Sequence, residues 1–147
     1  MDLETASQSE QTSSSAAAVH TPSGRFTPAR QAVIEILNAT RQALTHHEIE
    51  RQARTRGVRF DRVTLYRALD WLVANGTANK VATEDRVWRF SAARANHPHQ
   101  AHFHCNACGI VQCLDFPSAG IALPVPGGFR VERTEVMLRG FCATCAS

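Results

Sequence analysis

The sequence predicts an α+β chain: three helices and a β-hairpin, a short hinge, then a small and mostly β unit stapled by metal. Three observations predict it. Between residues 25 and 76, apolar residues recur at helical spacing in three stretches, each opened by a capping residue. From Thr77 to Phe90 two short strand-like runs flank a polar turn. Beyond residue 100, two C-x-x-C pairs lie in a segment too small to build a good core unaided.

The first helix is expected from "RFTPARQAVIEILNA". Thr27 is an N-cap and Pro28 takes the first helical position, where its missing N–H costs nothing. Val33, Ile34 and Leu37 fall on one face. In "LTHHEIERQARTRG", Thr45 and Glu48 make a T-x-x-E capping box and Gly57 supplies the stop. His46 and His47, which open this second helix, read as surface residues or helix-end partners. The third helix starts near Asp61 in "FDRVTLYRALDWLVANG", with Leu65, Leu69, Leu72 and Val73 inward and Gly76 at its end. "TANKVATEDRVWRF" is then a hairpin, with a turn at Thr83 to Arg86 and a second strand ending at Phe90.

Three helices followed by a hairpin is the order of a winged helix, whose third helix can enter a DNA major groove. Arg62, Thr64, Tyr66 and Arg67 lie in the first turns of that helix, where helix-turn-helix proteins make base and phosphate contacts. The alternative is that Tyr66 packs in the core and the arginines are merely solvated. Charge favours the first reading. The chain carries a net +3, but residues 1–24 contain Asp2, Glu4 and Glu10 with no Lys or Arg, whereas residues 25–90 hold 12 Lys/Arg against 7 Asp/Glu. A basic domain is the footprint of a polyanion binder.

Residues 1–24, rich in Ser, Thr, Ala and Gln, bury too little to offset ordering and read as a disordered tail. They lack a basic start and an apolar core, so no secretory signal is expected. No apolar run approaches the roughly 20 residues of a membrane span. The expected setting is the cytoplasm, with no membrane partner and no small-molecule substrate other than a metal ion.

After a polar hinge at residues 91–100, "SAARANHPHQ", the strands expected are "HFHC", "IVQCLDF" and "FRVERTEVMLRGFC". "PSAGIALPVPGG" leaves room for one helical turn at most. Five cysteines in a cytosolic chain argue against a disulfide framework. Cys105 and Cys108, with Cys142 and Cys145, form two knuckles that suit one tetrahedral, structural zinc. A redox role for the C-x-x-C pairs is the alternative. Cys113, with His97, His99, His102 and His104, points to a second, labile metal site, since imidazole and thiolate together suit zinc better than iron or manganese.

These motifs in this order resemble the ferric uptake regulator (Fur) family of metal-dependent repressors, from about Arg25 to Cys145. The resemblance implies a cytoplasmic homodimer built through residues 101–147, on a palindromic double-stranded operator, with metal at the hinge setting the angle between DNA-binding domains spanning residues 25–90. It places Thr64, Tyr66 and Arg67 in the recognition helix and Arg30 near the DNA backbone. It matches Cys105, Cys108, Cys142 and Cys145 to a structural zinc site. His102 falls on a family metal ligand, and Cys113 stands where many members carry a glutamate ligand. Two other family ligand positions align with Ala43 and Arg89, and the last strand lacks the family's histidine. The expected sensor is therefore a reduced site of His102 and Cys113 with two of His97, His99 and His104. The dimerisation helix of longer members has no counterpart between Asp115 and Phe129. The thiol makes the zinc uptake regulators the best-fitting branch, with a second zinc at the sensor. An iron-responsive regulator comes next, and a peroxide sensor fits less well. A redox-responsive zinc protein remains the alternative of a different class. Hydrolase or deaminase chemistry is disfavoured, because H-x-E … P-C-x-x-C is absent.

Overall fold

A computed structural model of the chain describes residues 24–94, 100–115 and 121–147. The expected tail lies outside these residues up to position 23, as do His97 and His99 of the hinge.

Three helices form as their caps dictate: α1 (Pro28–Asn38), α2 (His46–Thr55) and α3 (Arg62–Ala74). Thr27 accepts the Arg30 N–H at 3.3 Å, and Pro28 occupies the first turn. Thr45 accepts the Glu48 N–H at 3.2 Å while the Glu48 carboxylate takes the Thr45 N–H at 2.8 Å, so the capping box closes both ways. Asp61 takes the Thr64 N–H at 2.7 Å, and that bond holds its carboxyl below the usual range. Val33, Ile36 and Leu37 of α1 pack on Ile49 and Ala53 of α2 and on Leu65, Leu69 and Leu72 of α3. Each such side chain, fully buried, contributes about 1.5–3 kcal/mol.

The hairpin closes this core. Strands β1 (Leu44–Thr45), β2 (Ala78–Val81) and β3 (Arg89–Ala92) form an antiparallel sheet in the order β1-β3-β2. Phe90, paired with Leu44 on one side and Lys80 on the other, fills the space beneath the helices. The two-residue β1 is too short to carry a sequence signature. The second hairpin strand begins at Arg89 and runs past Phe90 to Ala92, later than expected. The residues before it are taken up by the turn: Asp85 accepts the Val87 N–H at 3.1 Å, and Arg86 sits at φ +60°.

The C-terminal sheet contains β4 (Gln100–Cys105), β5 (Val111–Leu114) and β6 (Glu135–Gly140), in the order β5-β4-β6. β4 and β5 are antiparallel, and β4 and β6 are parallel. The single strand expected over "FRVERTEVMLRGFC" is shorter, and no helix or strand occurs between residues 121 and 134. Ser91 and Ala92 continue β3 and Gln100 opens β4, so both ends of the expected hinge segment are strand.

The two sheets are spliced through backbone. Residues 41–43, between α1 and β1, lie along the outer edge of β5. The Cys113 N–H donates to the Arg41 carbonyl at 2.7 Å and the Ala43 N–H to the Val111 carbonyl at 2.8 Å. Ala43, Val81 and Val111, with Met137 against them, form a small second core across this seam. Arg41 pairs with Asp115 at 2.5 Å, and Arg139 pairs with Glu84 of the hairpin turn. Among the described residues no helix is long and apolar enough to cross a membrane.

The capping box fixes where α2 begins, so Thr45→Ala should lower the stability of the protein by about 1 kcal/mol in urea unfolding, with Thr45→Ser recovering most of it. An unchanged midpoint for Thr45→Ala would remove the cap from any part in stability.

Candidate metal centre and nucleic-acid interface

The turn between β4 and β5 and the segment after β6 bring four sulfur atoms together. Cys105 ends β4, Cys108 lies in the turn, and Cys142 and Cys145 follow β6 in a second turn. The Sγ atoms all lie within 4.8 Å of one another. Cys108 and Cys142 approach to 3.8 Å. Tetrahedral zinc with Zn–S bonds of about 2.3 Å separates its sulfurs by about 3.8 Å, so the donor set fits that ion. Gly109, at φ +74°, and the bond from its N–H to the Cys105 carbonyl at 3.0 Å shape the first knuckle. The second closes through the Cys145 N–H to the Cys142 carbonyl at 2.9 Å.

The thiols are electrostatically unequal. Backbone N–H groups of Cys108 and Cys142 point at the Cys105 sulfur and lower it to about 6. Cys145, surrounded by Cys142 and Cys108, is pushed up to about 12. Cys108 is also raised. Four thiols this close hold only part of their possible negative charge until a cation joins them.

Of the expected sensor ligands, the described residues hold His102, Cys113 and His104. His102 on β4 is the direct cross-strand partner of Cys113 on β5. Both line a cavity of about 40 Å³ with Asn79, Ser91 and Arg94. Burial lowers the His102 imidazole, against the opposing charge of Glu135, which keeps the ring in its neutral, ligand-competent form. Burial raises the Cys113 thiol, opposed by a hydrogen bond from Ser91 and by Arg94 and Arg41. His104, two residues from His102, shares its face of the strand. Among the described residues, the four cysteines are the one group of three or more potential ligands that is gathered. Ala43 is buried in the seam. Arg89, 7 % exposed, donates to Asp85 at 2.7 Å, to Thr83, and to the Gly109 carbonyl at 3.4 Å. Arg89 holds the Asp85 carboxyl far below the usual range.

The helix-three residues are presented outward. Arg62, Tyr66 and Arg67 are exposed and Thr64 is half-buried, whereas Leu65 between them is in the core. Tyr66 is thus not a core residue; 42 % of its surface is open. Arg30 lies elsewhere: its guanidinium stacks 4.1 Å from the Trp71 ring, and it donates to the Arg25 carbonyl at 2.7 Å. The arrangement holds the start of α1 against the far end of α3. Two features were not read from sequence. The Lys80 ammonium sits 4.2 Å from the Trp88 ring on the hairpin, a cation on an exposed aromatic beside the helix face. His46 is not a free surface residue, because its ring meets those of Tyr66 and Phe90. The hairpin reading carries the first signal, since it brings Lys80 and Trp88 onto the two arms of one turn. Nothing local in the sequence carries the second, because α2 and α3 meet only in the fold.

The model of the ferric uptake regulator family matches residues 22–122. No curated protein matches the chain. Among solved structures, the ferric uptake regulator from Francisella tularensis with iron superposes with a TM-score of 0.61 at 13 % identity, over 85 % of this chain and 96 % of that one. The Helicobacter pylori ferric uptake regulator gives 0.60 at 17 % identity, over 84 % and 83 %. A zinc uptake regulator complexed with zinc and DNA gives 0.57 at 23 % identity, over 83 % of each chain.

Metal binding at the four thiols must displace the protons still held there, so affinity should rise with pH. In competition with a chromophoric chelator, apparent zinc affinity should weaken stepwise from pH 8 to pH 6, and Cys145→Ser should weaken it at every pH. A pH-independent affinity would mean that the thiols are not the ligands.

Proposed function

Because the chain belongs to the ferric uptake regulator family of metal-responsive DNA-binding regulators, we propose that it is a zinc-responsive transcriptional repressor acting as a homodimer on palindromic DNA. The observation that carries the zinc reading is the cross-strand placing of Cys113 opposite His102, both lining one small cavity at the seam between the two sheets. A thiol among the ligands selects a softer ion than iron(II) or manganese(II).

In this reading Cys105, Cys108, Cys142 and Cys145 hold a structural zinc, and His102 and Cys113 hold the sensed zinc together with connector histidines His97 and His99. Bound there, zinc supplies charge neutralisation and a fixed geometry. The chain's own groups do the rest. Ser91 orients Cys113 by a hydrogen bond, and the backbone of residues 41–43 ties β5 to the unit that carries α3. Zinc that favours one arrangement of the two sheets over others raises the population of that arrangement. Arg62, Thr64, Tyr66 and Arg67 then face base edges and phosphates of one half-site, and Arg30 braces α1. A second copy of the chain is supported by β6, an edge strand that carries exposed Leu138 and is followed by exposed Phe141.

The test begins with zinc per monomer. Purified protein should hold two zincs, falling to one after EDTA dialysis, with loss of affinity for a duplex enriched from a random pool and recovery on adding zinc. Cys113→Ser and His102→Ala should each hold one zinc and stay at the weak duplex affinity of the EDTA-treated protein whatever zinc is added. One zinc throughout, with a response to iron or to oxidant instead, would move the assignment to the iron-responsive or redox-responsive reading. DNA affinity should also fall steeply between 50 and 200 mM salt, by about a factor of 10³ if six phosphates are contacted. A flat salt dependence would sink the DNA reading altogether.

A further inference from the structure

One exposed aromatic on α3 has a fixed support that comes from another helix and from the hairpin. The Tyr66 and His46 ring centroids lie 4.0 Å apart with the planes tilted by 34°. On its other side His46 meets Phe90 at 4.9 Å and 73°, edge to face. Phe90 is buried and paired in the middle strand of the first sheet, so packing on all sides sets its position. His46 follows directly on Thr45, whose capping box fixes the backbone at that point. A ring held between a rigid core aromatic and an exposed one leaves the exposed one few settings. Lys80, cross-strand from Phe90, carries the same surface on to Trp88.

We propose that His46 is a positioning residue for DNA recognition: its ring holds the Tyr66 side chain in one setting on the outer face of α3 and ties that setting to the hairpin through Phe90. The inference rests on the DNA-binding reading given above. Burial holds the His46 imidazole below its ordinary value, with Lys80 and Arg62 acting in the same direction and Asp70 against them, so the ring that stacks on Tyr66 is neutral at neutral pH. A neutral ring stacks without adding a phosphate-seeking charge, so its contribution should appear in discrimination between sequences and not in general affinity for the backbone.

The experiment uses full-length, zinc-loaded protein and two probes: a duplex enriched from a random pool by the wild-type chain, and an unselected duplex of equal length. His46→Leu keeps the buried volume and removes the aromatic face. It should cut the affinity ratio between the two probes by about tenfold, with affinity for the unselected duplex and its salt slope unchanged. His46→Phe keeps the stack and should restore most of the ratio. In a Tyr66→Ala background, His46→Leu should have no further effect, because the group it positions is gone. Equal losses on both probes, no loss at all, or an undiminished loss without Tyr66 would each overturn the proposal. Failure of the wild-type protein to enrich any duplex is a separate result. It would bring down the DNA reading and this inference with it.

Discussion

Four sulfur atoms within 4.8 Å of one another cannot all be ionised without a cation among them, and the C-terminal sheet depends on how that constraint is met. The sheet has little else. Ala101, Val111 and Cys105 itself are its buried apolar residues. Its central strand pairs in parallel with β6, a connection that elsewhere normally carries a helix packed across the sheet. Here residues 121–134 contain no helix and no strand. The register of β4 and β6 is instead set at one end, where the Asn106 N–H donates to the Gly140 carbonyl at 2.8 Å just before the knuckles meet. A cation shared by both knuckles would therefore contribute to the fold itself, as in other small units short of core.

The first knuckle is joined to the unit that carries α3 by a buried arginine. Arg89 reaches from the middle hairpin strand to the Asp85 carboxylate in the hairpin turn and to the Gly109 carbonyl in the first knuckle. An arginine buried this deeply is tolerable only because its charge is paired and its N–H groups are matched. Arg139 and Glu84 repeat the link from β6. Hairpin turn, knuckle and β6 are thus linked through side chains, and the splice of residues 41–43 onto β5 is a second attachment. The residue that stands at a position where the resemblance implies an acidic ligand is a structural tie in this chain.

The parts of the fold legible in the sequence are those written in local chemistry. Thr27 with Pro28, Thr45 with Glu48, and Asp61 each specify a helix start through bonds spanning three residues, so the pattern is contained in the segment. The two C-x-x-C pairs were legible for the same reason: each knuckle needs a tight turn between its own two cysteines. What depended on distant partners was not legible. The start of β3 is delayed because Thr83, Asp85 and Arg89 close a side-chain network, and the sequence shows three polar residues without showing that they meet. The parallel pairing of β6, the splice onto β5 and the placing of His46 under Tyr66 all join residues far apart in the chain. Arg30 illustrates the converse: its position on α1 was plain, but the Trp71 ring that holds its guanidinium lies on another helix.

The position of His102 and Cys113 limits how a sensed metal could act. Both belong to one sheet and face each other across one strand pair, so their separation is the same however that sheet is oriented against the helices. A metal held by these two alone would bind every arrangement of the two units equally, and equal binding shifts no population. Coupling requires a ligand whose distance from the pair changes when the units move. The connector between Ala92 and Gln100 is such an element, since it leaves β3 of the first sheet and enters β4 of the second. His97 and His99 lie within it in sequence, and under the proposed function a metal that gripped either one together with His102 and Cys113 would tie the link between the sheets to the second sheet. Under the proposed function, response to metal would therefore reside in the connector histidines, and selectivity among metals in the thiol of Cys113.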